Sequence, residues 1–225
     1  METSLHRDLK TVYADRDAQF EVPFGRYRID VVNGCELVEI QHGSLSAIRD
    51  KIRELLEGDH AVTVVKPIIH RRRLVKLDAK GGDVIEERMS PKRGKIADLF
   101  DELIHFTRAF PHPQLTLEVP IIDVEERRYP GHGRRRRRRE SDYQIEDKRL
   151  IEILETHRFR TASDLRRLIT GKLPREFDTA ELARAMNEPR HIAQRVAYCF
   201  REMGAARPVS KRGNAILYRF NRKGR

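Results

Sequence analysis

The sequence predicts an α/β protein in which a central mixed β-sheet is flanked by helices, with a smaller and mostly helical domain after it. An Asn-Gly turn joins two β-rich runs, an amphipathic helix and a run of β-branched residues follow, and the last third of the chain reads mainly as helix. With 225 residues, the chain is long enough for two domains. We predict a first domain over residues 1–128, a linker over 129–144 and a second domain over 145–225.

The first elements alternate helix with strand. Apolar residues at helical spacing predict an opening helix over residues 5–13. The runs YRIDVV and CELVEI flank Asn33-Gly34, which is a strong signal for a two-residue hairpin turn. The segment SLSAIRDKIRELLEG predicts an amphipathic helix. The next run, AVTVVKPII, predicts a strand that is covered on both faces.

The rest of the first domain predicts three strands and a second helix. RRRLVKLDAKGGDVIEERMS reads as an exposed hairpin that turns at Gly81-Gly82, and IADLFDELIHFTRAF reads as an amphipathic helix. LTLEVPIIDVEE predicts a strand that Pro120 confines to a sheet edge or a bulge, because proline cannot donate a ladder hydrogen bond.

Positive charge is concentrated in the last part of the chain. Residues 1–133 contain 21 Lys and Arg against 23 Asp and Glu, whereas residues 134–225 contain 25 against 12. Such a basic block is typical of a protein that binds a polyanion, most commonly nucleic acid. The linker holds six consecutive arginines, interpreted either as a solvated tether or as a segment that contacts phosphates: Arg134, Arg135, Arg136, Arg137, Arg138 and Arg139.

The last third predicts four helices and a hairpin in the order of a winged helix-turn-helix. EDKRLIEILETH, TASDLRRLI, FDTAELARAM and PRHIAQRVAYCFREMG read as the helices, and ARPVSKRGNAILYRF reads as the hairpin. The fourth helix is then the recognition helix, unless the module binds protein instead. The residues of this helix and of the hairpin tip that would contact DNA are Arg190, His191, Gln194, Arg195, Lys211 and Arg212.

The early hairpin carries polar residues within its strands. A two-residue turn at Asn33-Gly34 pairs Asp30 with Leu37 and places Asp30 diagonal to Glu39. Asp30, Leu37, Glu39 and Gln41 would then project from one face. The residues predicted for the opposite, core face are Ile29, Val31, Val38 and Ile40.

Two carboxylates brought together repel each other unless a proton or a cation lies between them. Hard divalent ions favour oxygen ligands, so Asp30 and Glu39 are interpreted as ligands of Mg²⁺ or Mn²⁺. Such an ion would polarise a phosphoryl oxygen and generate hydroxide from bound water. The alternative interpretation is a solvated strand face with incidental acids.

The order Asp30, then Glu39-Ile40-Gln41 across a hairpin, then a helix and a buried strand resembles the PD-(D/E)XK nuclease superfamily. The resemblance spans about residues 1–70 and is to its CoiA-like and Holliday-junction-resolvase-like members. It implies a restriction-endonuclease-like sheet, with Asp30 and Glu39 as metal ligands assisted by the Ile40 carbonyl. It also implies that Gln41 orients the attacking water.

The resemblance further implies an upstream acid as a third ligand, for which Glu21 and Glu2 are the candidates. Gln41 stands where the superfamily usually has lysine, and an amide supplies neither positive charge nor a proton. Arg49 or Lys51, on the next helix, is the candidate substitute.

Together these interpretations predict a Mg²⁺-dependent deoxyribonuclease that a basic winged helix places on duplex, branched or damaged DNA. The alternatives are a catalytically inactive nuclease fold that binds DNA as a regulatory factor, and a protein-docking module. Two distant cysteines indicate neither a disulfide scaffold nor a zinc site. Because no apolar stretch is long enough to cross a membrane, we expect a cytoplasmic protein, and the resemblance also allows a homodimer.

Overall fold

A computed structural model describes residues 3–131 and 142–221. Short 3₁₀ turns at Leu45–Ala47 and Ile96–Asp98 precede the second and third helices. In chain order, the elements are α1 Ser4–Val12, β1 Gln19–Phe24, β2 Tyr27–Asn33, β3 Glu36–Ile40, α2 Arg49–Glu57, β4 Ala61–Val65, β5 Ile68–Leu77, β6 Val84–Met89, α3 Leu99–Leu103, β7 Leu115–Pro130, β8 Tyr143–Phe159, α4 Ala162–Arg166, α5 Thr179–Met186, α6 Arg190–Glu202, β9 Ala206–Arg212 and β10 Ala215–Phe220.

Strands β1 to β8 form one large mixed sheet. β1, β2 and β3 pair antiparallel, and β3 pairs parallel with β4 across the connecting helix α2. β4 and β5 both pair parallel with β7, and β6 pairs antiparallel with β5. The α/β class, the opening helix, the early hairpin, α2 and the β5–β6 hairpin are therefore confirmed.

β7 is an inner strand of the sheet, so the predicted sheet edge at Pro120 is wrong, whereas the other prediction, a bulge, agrees with a register shift between Ile121 and Ile122. On one side, β7 pairs with β4 up to Glu118 and with β5 from Ile121 onward. Pro120 falls between these two stretches, where neither strand requires an N–H donor from β7. β8 pairs with the other side of β7.

Residues 143–159 form strand β8, although the sequence predicted a helix over most of this stretch. β8 pairs antiparallel with β7 along its whole length, from Tyr143 opposite Pro130 to Phe159 opposite Leu117. The described ends of the predicted linker therefore belong to two paired strands. The segment forms a strand despite its helical periodicity because β8 pairs with the edge of β7 that would otherwise be left open.

Two groups of buried side chains hold the helices against the sheet. In the smaller group, Leu5 and Leu9 of α1 pack with strand residues such as Val38. In the larger group, α2 and α3 share one continuous core with α4, α5 and α6. The rings of Phe100 in α3 and Phe200 in α6 lie 6.2 Å apart between centroids. The core thus continues across the predicted boundary between domains.

The last part of the chain consists of α4, α5, α6 and the β9–β10 hairpin. Phe177, between α4 and α5, forms an isolated antiparallel bridge with Tyr218 of β10. Gly213, at the hairpin tip, has a φ of +60°. Within the described residues, no helix combines the length and hydrophobicity needed to cross a membrane.

Candidate metal and nucleic-acid sites

The β2–β3 hairpin brings Asp30 and Glu39 opposite each other. The pairs Val31 with Val38 and Asn33 with Glu36 place the turn at Gly34-Cys35, where Gly34 has a φ of +59°. Continued through Asp30, this register meets Glu39. The predicted pairing of Asp30 with Leu37 is therefore wrong by two residues. Val31, Val38 and Ile40 share one core cluster, as predicted, whereas Ile29 packs in the other cluster together with Leu37.

Tertiary contacts explain why Asn33 belongs to the strand and not to the turn. Its side-chain Nδ2 donates to the Tyr13 carbonyl over 2.9 Å, and its Oδ1 accepts from the Asp15 amide over 3.1 Å. Both partners lie just beyond α1, so the end of this helix fixes the hairpin register.

The two carboxylates lie where main-chain pairing between β2 and β3 gives way to side-chain contacts. Asp30 Oδ2 accepts from the Ile40 amide over 2.8 Å, and the Glu39 carboxylate accepts from the Asp30 amide. Glu39 is only 4% exposed, and Leu37 on the same face belongs to the core. The interpretation of this face as a solvated strand surface is therefore wrong.

Lys51 of α2 provides the cation beside Glu39. Its Nζ donates to Glu39 Oε1 and to the Arg28 carbonyl. Burial raises the pKa of Glu39, and the hydrogen bond and charge of Lys51 only partly oppose this effect. Arg49 instead pairs with Asp50, its Nε lying 3.1 Å from Asp50 Oδ1. Of the two residues predicted to replace the missing lysine, only Lys51 contacts one of the two acids, Glu39.

Helix α1 brings two further side chains to Asp30 that the sequence reading missed. His6 Nε2 lies 3.1 Å from Asp30 Oδ1, and Lys10 Nζ lies 3.5 Å from the same oxygen while also contacting Glu21. His6, Glu21 and Asp30 each offer one ligand atom within 4.8 Å of the others, a spacing at which one ion could contact all three. Glu21 is thereby the third acid that the structure brings to the site.

The electrostatics of Asp30 differ from those of Glu39. Burial raises the pKa of Asp30, but the hydrogen bonds from His6 and the Ile40 amide and the charges of His6 and Lys10 outweigh it and lower the pKa overall. Glu21 lies across from Asp30 on β1 and has a φ of +53°, which is unfavourable for a residue other than glycine. Strained backbone at such a position is typical of functional sites.

Gln41 contacts the neighbouring loop. Its backbone amide donates to the Val65 carbonyl over 2.8 Å, and its side-chain Nε2 donates to the Ser44 carbonyl over 2.6 Å. The buried Lys66 Nζ donates to the Gly43 carbonyl of the same loop and lies 3.6 Å from Glu102. These contacts give Gln41 a structural role in holding the loop after β3.

The residues predicted to contact DNA divide into two groups. Arg195 Nη1 lies 2.5 Å from Asp101 of α3, and Arg212 Nη2 lies 2.6 Å from Asp178, so both arginines form ion pairs within the chain. Arg212 is nevertheless exposed, and the members of the set that are exposed and outside these ion pairs are Arg190, His191, Gln194 and Lys211. Arg190 and Gln194 line a depression of about 230 Å³ with residues 214–216 of the hairpin. The six linker arginines, Arg134 to Arg139, and Glu2 lie outside the described residues.

Comparisons with known proteins yield a family but no function. Residues 3–160 match the family described as "Domain of unknown function (DUF8091)", and this match ends one residue after β8. An uncharacterized protein of Treponema pallidum (strain Nichols) is 31% identical over 225 residues, which cover 97% of this chain and 85% of that protein. No solved structure matches.

Proposed function

We propose that this chain, which belongs to the DUF8091 family, is a Mg²⁺- or Mn²⁺-dependent nuclease that hydrolyses phosphodiester bonds in DNA. The family description names no function, so the support comes from the site. The observation that carries the proposal is that Asp30 and Glu39 face each other at the end of the β2–β3 pairing, with the Lys51 ammonium on Glu39. The order α1, β1, β2, β3, α2, β4 also supports the resemblance to PD-(D/E)XK nucleases.

The donor set fits a hard divalent ion. The ligand atoms that the structure brings within 4.8 Å of one another belong to Asp30, Glu21 and His6. Glu39, the second acid that the resemblance implies, lies outside this group and would join it only after releasing Lys51. Carboxylate oxygens suit Mg²⁺, and an imidazole nitrogen favours Mn²⁺. Since the ammonium groups of Lys10 and Lys51 now contact these acids, an ion must displace at least one of them. When bound, the ion would lower the pKa of a coordinated water.

Lys51 would supply the positive charge that Gln41 lacks. An ammonium group beside the acids stabilises negative charge as it develops on a phosphate oxygen. The Gln41 amide would hold the loop next to the acids and not act on water, because its Nε2 donates to Ser44. In this proposal, Lys51 acts on the substrate and Gln41 positions the loop.

The C-terminal elements support a winged helix that places the enzyme on DNA. Three helices, the bridge between Phe177 and Tyr218, and the β9–β10 hairpin occur in the order of that fold. Arg190, Gln194 and Lys211 are exposed and would make the contacts. Arg195 and Arg212 would first have to leave their acidic partners.

A second candidate is a nuclease fold without activity that binds DNA as a regulatory factor. The favouring observation is that ammonium groups already neutralise the acids, Lys10 at Glu21 and Lys51 at Glu39. An inactive nuclease fold would keep these ion pairs, because it binds no metal ion that would displace the ammonium groups.

Cleavage assays separate the two candidates. The full chain is incubated with plasmid and with branched DNA, in Mg²⁺, Mn²⁺ or EDTA, beside Asp30→Asn, Glu39→Gln and Lys51→Met. We expect metal-dependent cleavage that each substitution reduces by at least about 100-fold. Glu57→Gln, an exposed acid on α2, is the matched control and should cleave as the wild type does. Metal-dependent cleavage that is unaffected by Asp30→Asn and by Glu39→Gln would contradict the enzyme proposal. Binding of DNA without cleavage would favour the regulatory factor.

A further inference from the structure

A cavity of about 710 Å³ in the C-terminal region is lined by four arginines and no acidic residue. Arg166 comes from the end of α4, Arg175 from the α4–α5 connection, Arg207 from β9 and Arg219 from β10. None of the side chains that we assign to the metal site or to the DNA-contacting face lines this cavity. Cavities of roughly 300–1,000 Å³ are typical of small-molecule sites.

Most of this positive charge is not neutralised within the protein. Across residues 3–131 and 142–221, no carboxylate forms an ion pair with Arg166, Arg175 or Arg207, and Arg219 pairs with Glu176. The buried Nε of Arg219 has no hydrogen-bond acceptor in the same part of the chain. Converging like charges repel each other, and a bound anion would relieve that repulsion.

Arg166 is held in a definite orientation. Its guanidinium lies over the Phe220 ring, 4.1 Å from the ring centroid. The Phe220 ring in turn packs against Phe177 and Phe200, with centroid distances of 5.0 and 5.1 Å. Stacking of this kind leaves the edges of a guanidinium available to grip a phosphate with two hydrogen bonds.

We propose that this cavity binds clustered phosphate groups, such as those of a nucleoside triphosphate or of a nucleic acid strand. Arginine is the side chain best matched to phosphate oxygens, and it supplies four of the eight residues that line the cavity. The proposal does not depend on nuclease activity, because none of its residues belongs to the acidic site. A nucleic acid strand bound here would contact a different set of residues from the predicted recognition helix.

The test is a set of binding titrations on the full chain in EDTA, so that metal-dependent cleavage cannot interfere. The probes are inorganic triphosphate, ATP and a short single-stranded oligonucleotide. The double variant Arg166→Gln/Arg207→Gln is compared with Arg184→Gln/Lys80→Gln, which removes the same charge from exposed positions outside the cavity. We expect the cavity variant to bind at least about tenfold more weakly and the control variant to change by less than about twofold.

The probes distinguish the two sources of phosphate. Tight binding of ATP and triphosphate indicates that the ligand is a free nucleotide. Binding of the oligonucleotide alone indicates a nucleic acid strand. In that case, the slope of the logarithm of the binding constant against the logarithm of the salt concentration should be smaller by about two in the cavity variant. Equal losses in both variants, or no saturable binding of any probe, would overturn the proposal. Circular dichroism verifies that the variants fold. Arg166→Lys keeps the positive charge but not the planar guanidinium, so we expect a loss of affinity smaller than that of the double variant.

Discussion

Each carboxylate at the β2–β3 divergence has its own cation. Lys51 contacts Glu39, while His6 and Lys10 contact Asp30 from the other helix. A cation so placed stabilises the buried acid, and its removal leaves an uncompensated charge. The ion pairs at this site are therefore expected to influence folding as well as chemistry.

The substitution Lys51→Met is expected to reduce the free energy of unfolding by about 3 kcal/mol, because Glu39 is left buried without its partner. Urea unfolding near neutral pH measures this loss. The double variant Lys51→Met/Glu39→Gln should recover most of the lost stability, since it removes the unpaired charge. Lys80→Met, at an exposed position, is the control. A single variant within about 0.5 kcal/mol of the wild type would show that the pair contributes nothing to folding.

The acids of this site were predicted from the sequence, but their cations were only partly predicted. Lys51 was one of two candidates. His6 and Lys10 were missed because tertiary packing of Leu5 and Leu9, and not a motif, brings α1 to the sheet. His6 and Lys10 are four residues apart, and each directly follows one of the apolar residues Leu5 and Leu9. Side chains at this spacing lie on one helix face, so the spacing could have indicated that both reach the same site.

At the scale of elements, hydrogen bonds join α1 to strand β8 at the first residue and at the middle of the helix. Asp147 accepts hydrogen bonds from the Ser4 amide and from Ser4 Oγ, and Asp8 Oδ2 accepts from the Leu150 amide over 3.1 Å. Asp8 thus satisfies a backbone donor on a strand that has only β7 as its strand partner in the described chain. An edge strand covered in this way is less able to pair with another molecule.

Asp8→Ala is expected to expose the Leu150 amide and to cost about 1 kcal/mol of stability. Hydrogen exchange measured by NMR should show faster exchange at Leu150 and little change at the β7 amides that pair with β4. Asp17→Ala, in the exposed turn after α1, serves as the control. Unchanged protection at Leu150 would contradict this account of the edge.

Asp178 joins helix α5 to the β9–β10 hairpin. Its carboxylate caps α5 by accepting from the Ala180 and Glu181 amides, and it pairs with Arg212. The hydrogen bond from the Glu181 backbone lowers the pKa of Asp178 most. Burial raises this pKa, but the hydrogen bond and charge of Arg212 lower it again, so that it lies below its usual value of 3.8. A lowered pKa stabilises the fold above that value, and the contribution is lost as pH falls through the folded pKa.

Asp178→Ala should therefore cost about 1–2 kcal/mol near neutral pH and less at an acidic pH, because protonation of the wild-type carboxyl removes its charge as the pH falls through the folded pKa. Unfolding in urea at both pH values provides the measurement. The same cost at both pH values would show that the charge of Asp178 contributes nothing.

Two errors of element prediction have physical causes in the tertiary structure. The EDKRLIEILETH segment has apolar residues at both helical and strand spacings, and three register shifts along β7–β8 disturb the alternation that would have indicated a strand. The turn signal at Asn33-Gly34 was misplaced because Tyr13 and Asp15 hold Asn33 in the strand. Neither contact is visible in local sequence.

At the scale of the whole molecule, the sheet and the C-terminal helices share one core. Phe200 of α6 is buried and contacts both Phe100 of α3 and Phe220 of β10. Arg195 and Asp101 add an ion pair at the same contact. Such continuity couples the unfolding of the two regions, even though the sequence predicted two domains joined by a linker.

Phe200→Ala is expected to lower the stability of the entire chain by about 3–5 kcal/mol while leaving one unfolding transition. Calorimetry measures the transition, and hydrogen exchange at β7 amides reports whether the sheet is destabilised with the helices. Tyr198→Ala, an exposed aromatic on the same helix, is the matched control. Two separate transitions in the wild type would contradict coupling through this core.

The pairing of β7 with β8 brings together the two described residues that flank the six-arginine segment. The Gly131 amide donates to the Asp142 carbonyl over 3.1 Å, so the chain leaves and rejoins the β7–β8 pair at neighbouring positions. Doubling the length of a closed loop costs only about 0.6 kcal/mol. The number of residues between Gly131 and Asp142 can therefore change with little effect on the pairing of β7 with β8.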